Sequence, residues 1–149
     1  MTYPIMKNRT FCTVIAIALA AASAPGAFAS GGCTKSSLNG PYIVQVNGFA
    51  NISTSGQLSG KFIPNVIVGL LTFDGAGNFT AAYTESANGH LFKNQNNSGT
   101  YVVKSDCTGS LKSPDGGYHW QFVLLSDGTE AYAIETDAGT TNTATLKKQ

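Results

Sequence analysis

The chain has 149 residues, 42% of them hydrophobic and only 11% charged, with 9 Lys and Arg against 8 Asp and Glu. So few cations exclude nucleic-acid recognition, which needs clustered Lys and Arg to neutralise phosphates. They equally exclude polybasic adhesion to a membrane surface.

Lys7 and Arg9 precede an apolar run from Phe11 to Ala22 that contains Cys12. The run is shorter than the about 20 apolar residues a spanning helix needs. Ala27-Phe28-Ala29 follows as an A-x-A cleavage signal, so residues 1–29 are predicted to be a secretory signal peptide and the mature chain to start at Ser30. Ser30-Gly31-Gly32 lacks the apolar residue expected three positions before a lipidated cysteine, which argues against acylation of Cys33. Cleavage leaves a single secreted domain over 30–149, large enough for a core and with no membrane span of its own. It also removes the only Arg and brings the net charge to about −1.

Cys33 and Cys107 are the cysteines left after cleavage. In an oxidising compartment two such residues pair, so a Cys33–Cys107 disulfide is predicted. It closes a loop of about 75 residues, worth about 4–5 kcal/mol in the chain-entropy model. There is no CxxC and no His beside either Cys, so no metal site is predicted.

From Ser30 onward, short β-rich runs alternate with Gly-, Asp- and Asn-containing turns. Pro41–Val46 opens the domain. Asn51–Gly60 is polar and reads as a loop or a weak strand. Val66–Phe73 is the most hydrophobic run and reads as a central strand. Asp74–Gly77 turns the chain into Asn78–Ser86. Asn88-Gly89 is the strongest hairpin signal and leads to a short His90–Lys93 strand. Gly99–Lys104 and Cys107–Lys112 follow. Tyr118–Leu125 is entered through Pro114-Asp115-Gly116-Gly117. Asp127-Gly128 turns into Glu130–Thr136, and Asp137-Ala138-Gly139 into Thr141–Lys147.

That is about eight strands joined by hairpins. A meander of this size removes its edges by closing, so an all-β, antiparallel up-and-down barrel is predicted, with a β-sandwich as the alternative. One face of Tyr118–Leu125 carries Tyr118, Trp120, Phe122 and Leu124; the other carries His119, Gln121, Val123 and Leu125. Alternation alone does not say which face points inward.

Leu71–Asn78, Ser98–Val103, Asp106–Leu111, Phe122–Gly128 and Thr136–Thr140, with Cys33 and the Leu38–Tyr42 entry, resemble a family of small secreted bacterial proteins with no assigned activity. The likeness covers nearly the whole of 30–149. It implies a compartment and a barrel of the lipocalin, calycin or allene-oxide-cyclase type. Its motifs are mostly turn chemistry, so it implies no reaction.

No GxSxG, HExxH, P-loop or CxxC pattern is present, and no cofactor is implied. Asp74–Asn78 has some flavour of a calcium loop, but lacks spaced carboxylates and a closing Glu, so it reads as a turn. Asn51-Ile52-Ser53, Asn78-Phe79-Thr80 and Asn96-Asn97-Ser98 match the N-glycosylation pattern, which is silent in a bacterium.

Three functions remain. The first is a non-enzymatic barrel that binds a small apolar or amphipathic ligand in a cavity on the order of a few hundred Å³. Its candidate residues are Trp120, Phe122, Tyr132, Tyr83, Glu85, Glu130 and His119. The second is a cyclase or isomerase, which needs Glu85, Glu130 or Glu135 inside the cavity, where burial raises a carboxyl pKa. Against both, strand-end positions favour Glu85 and Glu130 as rim residues, and His119 and His90 read more readily as surface residues. The third is an envelope-associated interaction protein, with an exposed apolar patch above about 600 Å² around Tyr42, Phe49 and Phe62.

Overall fold

Alternating burial runs along nearly every strand of the computed structural model, which describes residues 32–51, 61–114 and 116–149. The chain divides into two units, Met1–Ser30 and Gly31–Gln149. The predicted signal peptide lies outside the described residues, as do 52–60 of the polar Asn51–Gly60 segment and Asp115.

The strands are β1 (Asn39–Ala50), β2 (Ile63–Asp74), β3 (Asn78–Ala87), β4 (His90–Val103), β5 (Thr108–Lys112), β6 (His119–Leu124), β7 (Glu130–Glu135) and β8 (Thr143–Lys148). Each pairs antiparallel with its neighbour in the chain, and β8 pairs with β1. The result is a closed up-and-down barrel of eight strands, and the sandwich alternative falls away. In β1, Tyr42, Val44 and Val46 point inward and Ile43, Gln45 and Asn47 outward, as a period of two requires.

The predicted His90–Lys93 and Gly99–Lys104 strands are one strand, β4. The polar stretch between them stays in the ladder because β3 offers a continuous backbone partner as far as Ala87. The extra residue is absorbed by a bulge opposite the Tyr83–Glu85 step, where Asn94 adopts φ 54°. Bulges favour barrel rims, where they re-aim side chains.

Turn chemistry sets the register. Asp74 Oδ1 accepts N–H bonds from Ala76, Gly77 and Asn78 at 2.8–2.9 Å, closing the β2–β3 hairpin. Asn88 and Gly89, at φ 50° and 84°, form the two-residue turn between β3 and β4. Asp127 and Asp106 repeat one device: each accepts from the backbone N–H and the hydroxyl of the Thr two residues on. Hydrogen bonds of this kind hold Asp74, Asp106 and Asp127 below the ordinary carboxylate range.

One end of the barrel is sealed. A short 3₁₀ turn, Lys35–Ser37, precedes β1 and places the buried Leu38. Tyr101 Oη donates to the carbonyls of Lys35 and Leu38, and Tyr42 Oη to that of Gly128. Phe73 sits edge-on to Tyr42 and Tyr101, with ring centroids 5.3 and 5.1 Å away, and Phe79 closes the group. Gly109 faces Phe122 across the β5–β6 pair; a Cβ there would lie 2.3 Å from the ring, so only Gly admits it. The predicted Cys33–Cys107 disulfide is formed and ties the segment before β1 to the β4–β5 turn. No helix among the described residues is long and apolar enough to cross a membrane.

Tyr42 is therefore fully buried and cannot belong to an exposed patch. It lies on the inward alternation of β1 with Val44 and Val46. Phe49 and Phe62 are exposed.

Candidate functional site

The opposite end is built from the close of β1, β3, β5 and β7 and the start of β2, β4, β6 and β8. Here the barrel holds a cavity of about 90 Å³. Its apolar wall includes Val44, Ile67, Phe79, Leu111, Trp120 and Leu146. Its polar lining is Asn65, Tyr83, Asn97, Tyr118, Glu135 and Asn142. The space is smaller than the few hundred Å³ expected, because Tyr42, Phe73, Tyr101 and Phe122 occupy the rest of the interior as core. It suits a molecule of about four to six heavy atoms, or several waters.

Glu135 is 6% exposed and is the last residue of β7; Asn142 is 3% exposed and stands just before β8. Asn142 Nδ2 donates to Glu135 Oε2 at 2.6 Å, and the Glu135 N–H donates to the Asn142 carbonyl at 3.0 Å. The close fit depends on Gly48 of β1: a Cβ there would come within 2.4 Å of both Asn142 Oδ1 and the Thr141 carbonyl. Asn65, 5% exposed, opens the inward face of β2, and its side chain favours the ionised form of Glu85 of β3. The Oδ1 atoms of Asn65 and Asn142 are buried and have no hydrogen-bond partner.

The electrostatics follow from this crowding. Burial raises the Glu135 pKa, and the charges of Asp137 and Glu85 add to the rise, while Asn142 and Thr140 partly offset it. Burial likewise raises Glu85, and Asn65 offsets it. Tyr118 is 38% exposed at the rim, yet desolvation and the nearby Tyr83, Glu85 and Glu135 push its phenol up to about 12. The Tyr83 phenol is also raised, first by desolvation and then by Glu85.

The candidates named from sequence separate into groups. Trp120 and Tyr83 line the cavity, and Glu85 shares the inward face of β3 with Tyr83. Phe122 points inward but lies deeper, in the core cluster. Tyr132 points outward, 55% exposed, and donates to Glu130 Oε1 at 2.8 Å. Glu130 also faces outward, with Oε1 3.7 Å from Lys147 Nζ. Both are corrections to a cavity-lining role. The inward face of β7 is Ala131, Ala133 and Glu135, since bulky rings from neighbouring strands leave room only for small residues there.

His119 lies on the outward face of β6 and has a carboxylate partner that spacing did not reveal. Its Nδ1 is 2.6 Å from Asp137 Oδ1, and Asp137 Oδ2 accepts the His119 N–H at 2.6 Å. The pair clasps the start of β6 to the β7–β8 loop. Asn65 and Asn142 also escaped sequence reasoning. The available signal was that each is a polar residue heading an apolar inward alternation: Ile67, Leu71, Phe73 for one, Ala144, Leu146 for the other.

No protein-family model matches the chain, and no curated protein matches it. A solved structure of a redesigned beta barrel is similar at 19% identity, covering 77% of this chain and 94% of that chain with a TM-score of 0.47. The barrel stands on its own strand pairing, with β8 returned to β1.

Among the described residues, no three His, Cys, Asp or Glu side chains converge as metal ligands would. What the open end offers instead is hydrogen-bond acceptors and carboxyl groups with raised pKa values beside an apolar wall.

Proposed function

We propose that the chain is a secreted bacterial β-barrel of the calycin type that binds a small amphipathic molecule in its open end. The A-x-A leader and the disulfide support export, since disulfides persist in oxidising compartments. One observation carries the binding reading: an apolar-walled cavity of about 90 Å³ bordered by buried, unpaired polar atoms. An unpaired buried acceptor costs about 1–3 kcal/mol, and a ligand donor or a water recovers it.

Trp120 is the single Trp of the chain and lines the cavity, so its fluorescence reports occupancy. Titration with 1-butanol is expected to change the Trp120 emission saturably, and Leu111→Phe, which fills the cavity, to abolish the change. A linear, non-saturating response identical in both proteins would reject binding in the barrel.

An isomerase-type activity at the same place is favoured by Glu135, a buried carboxyl with a raised pKa facing the cavity. It predicts that Glu135→Gln abolishes turnover while the 1-butanol response survives. Unchanged turnover of a converted ligand by that variant would reject it.

A further inference from the structure

The chemistry of the open end restricts the polar head of the ligand. Four groups matter, and all are placed by hairpins on two sides of the mouth. Glu135 and Asn142 face each other across the β7–β8 connection; Asn65 and Glu85 face each other across β2 and β3. Asn65 favours the ionised form of Glu85, and Asn142 spends an amide N–H on Glu135 Oε2. That fixes the amide orientation, because a flipped amide would set its oxygen against the carboxylate oxygen. The two Asn Oδ1 atoms are left as acceptors, buried and unpartnered.

The inventory is one-sided. Unpaired acceptors and carboxylate lone pairs are abundant, while Lys and Arg are absent from the cavity lining. A carboxylate or phosphate head would meet the Glu135 carboxylate and the two Asn oxygens, with neutral donors such as the Tyr83 and Tyr118 hydroxyls and no cation to offset them. A hydroxyl offers one donor. A primary ammonium offers three donors and a charge opposite to that of the carboxylates. A hard metal ion wants six or more oxygens, and among the described residues no three His, Cys, Asp or Glu side chains converge to supply them.

We infer that the open end is a site for a small primary alkylammonium. Its N–H groups are taken by Asn65 Oδ1, Asn142 Oδ1 and Glu135, and its hydrocarbon lies against Trp120, Ile67 and Leu146. The inference rests on the binding function proposed above and names its ligand class. The cation relieves the burial of the carboxylates, so binding strengthens as Glu135 and Glu85 ionise. Tyr83, Tyr118 and Asp137 are the other titratable groups around them. Tyr83 and Tyr118 stay neutral through the working range, since both phenols are shifted upward.

The test compares n-butylammonium, 1-butanol and butanoate by Trp120 fluorescence on the purified protein at pH 8. n-Butylammonium is expected to bind at least about tenfold tighter than 1-butanol, as a charge-assisted hydrogen bond requires, and butanoate not to bind. Glu135→Gln is expected to remove that preference, bringing the two affinities together. Asn65→Leu, which keeps both carboxylates, provides a second variant and is expected to narrow the preference for n-butylammonium over 1-butanol. Equal affinities for n-butylammonium and 1-butanol would overturn the ammonium assignment while leaving ligand binding intact. Displacement of n-butylammonium by calcium chloride at stoichiometric concentration would also overturn it, in favour of a hard-cation site. Silence of Trp120 to all three probes would overturn both readings.

Discussion

The two ends of the barrel are made from the same eight strands and answer opposite demands. At the sealed end every tyrosine hydroxyl has a carbonyl to donate to: Tyr101 to Lys35 and Leu38, Tyr42 to Gly128. Aromatic rings fill the space between, and the disulfide lies in the same core cluster. At the open end, buried polar atoms are left unpaired and two carboxyl groups have raised pKa values. The sealed end is arranged for stability. The open end gives stability up, which is the usual mark of a place kept for something else.

The largest effects should therefore come from the sealed end. Cys33→Ser with Cys107→Ser is expected to lower unfolding stability by about 4.5 kcal/mol, read by urea denaturation. Phe73→Ala, at the centre of the ring cluster, should cost about 3–5 kcal/mol. Tyr101→Phe keeps the ring and strands the buried Leu38 carbonyl, for about 1–3 kcal/mol. None of these should alter the selectivity of the cavity. A variant that changed ligand preference as much as stability would break the division between the ends.

Smaller effects, and one of opposite sign, belong to the open end. Gly48→Ala drives a methyl into Asn142 and the Thr141 carbonyl. It should cost about 1–3 kcal/mol and weaken ligand binding together with stability. Glu135→Gln should raise the urea midpoint at pH 8, because an amide is cheaper to bury than a carboxylate.

The pH profile sharpens the contrast. Glu85 and Glu135 have raised pKa values in the fold. The native state thus holds protons that the unfolded chain has already released. Stability falls as pH rises from the unfolded carboxyl pKa through the raised folded values, then levels off. Asp74, Asp106 and Asp127 have lowered values. Their contribution is present above the unfolded pKa and is lost as pH falls below it. Stability should therefore peak near about pH 4–5. Glu85→Gln with Glu135→Gln should flatten the descending limb on the alkaline side and leave the acid limb, which belongs to the hairpin turns.

Much of the barrel was legible because turns are local. Asp74-Gly75, Asn88-Gly89 and Asp127-Gly128 carry the backbone conformations their hairpins need. Two cysteines admit a single pairing. The inward direction of a strand is not local. Tyr132 resembles a core residue and Ala133 does not, yet the interior opposite β7 is already filled by rings from other strands, so Ala133 faces in. His119 and Asp137 stand 18 residues apart and meet only across a hairpin connection. Asn65 and Asn142 are ordinary in an Asn-rich chain; they stand out once the face that carries them is known to be the inside. The same knowledge singles out Glu135 from Glu130 on the same strand.

The central claim is that the open end receives a donor-bearing molecule and the sealed end does not. Mapping backbone and Asn side-chain amide shifts by NMR during an n-butylammonium titration tests it most directly. The account predicts saturable shifts at Asn65, Glu85, Glu135, Asn142 and the Trp120 indole, with Tyr42, Phe73 and Tyr101 unmoved. Shifts spread over the outer faces, or concentrated around Tyr42 and Tyr101, would contradict it.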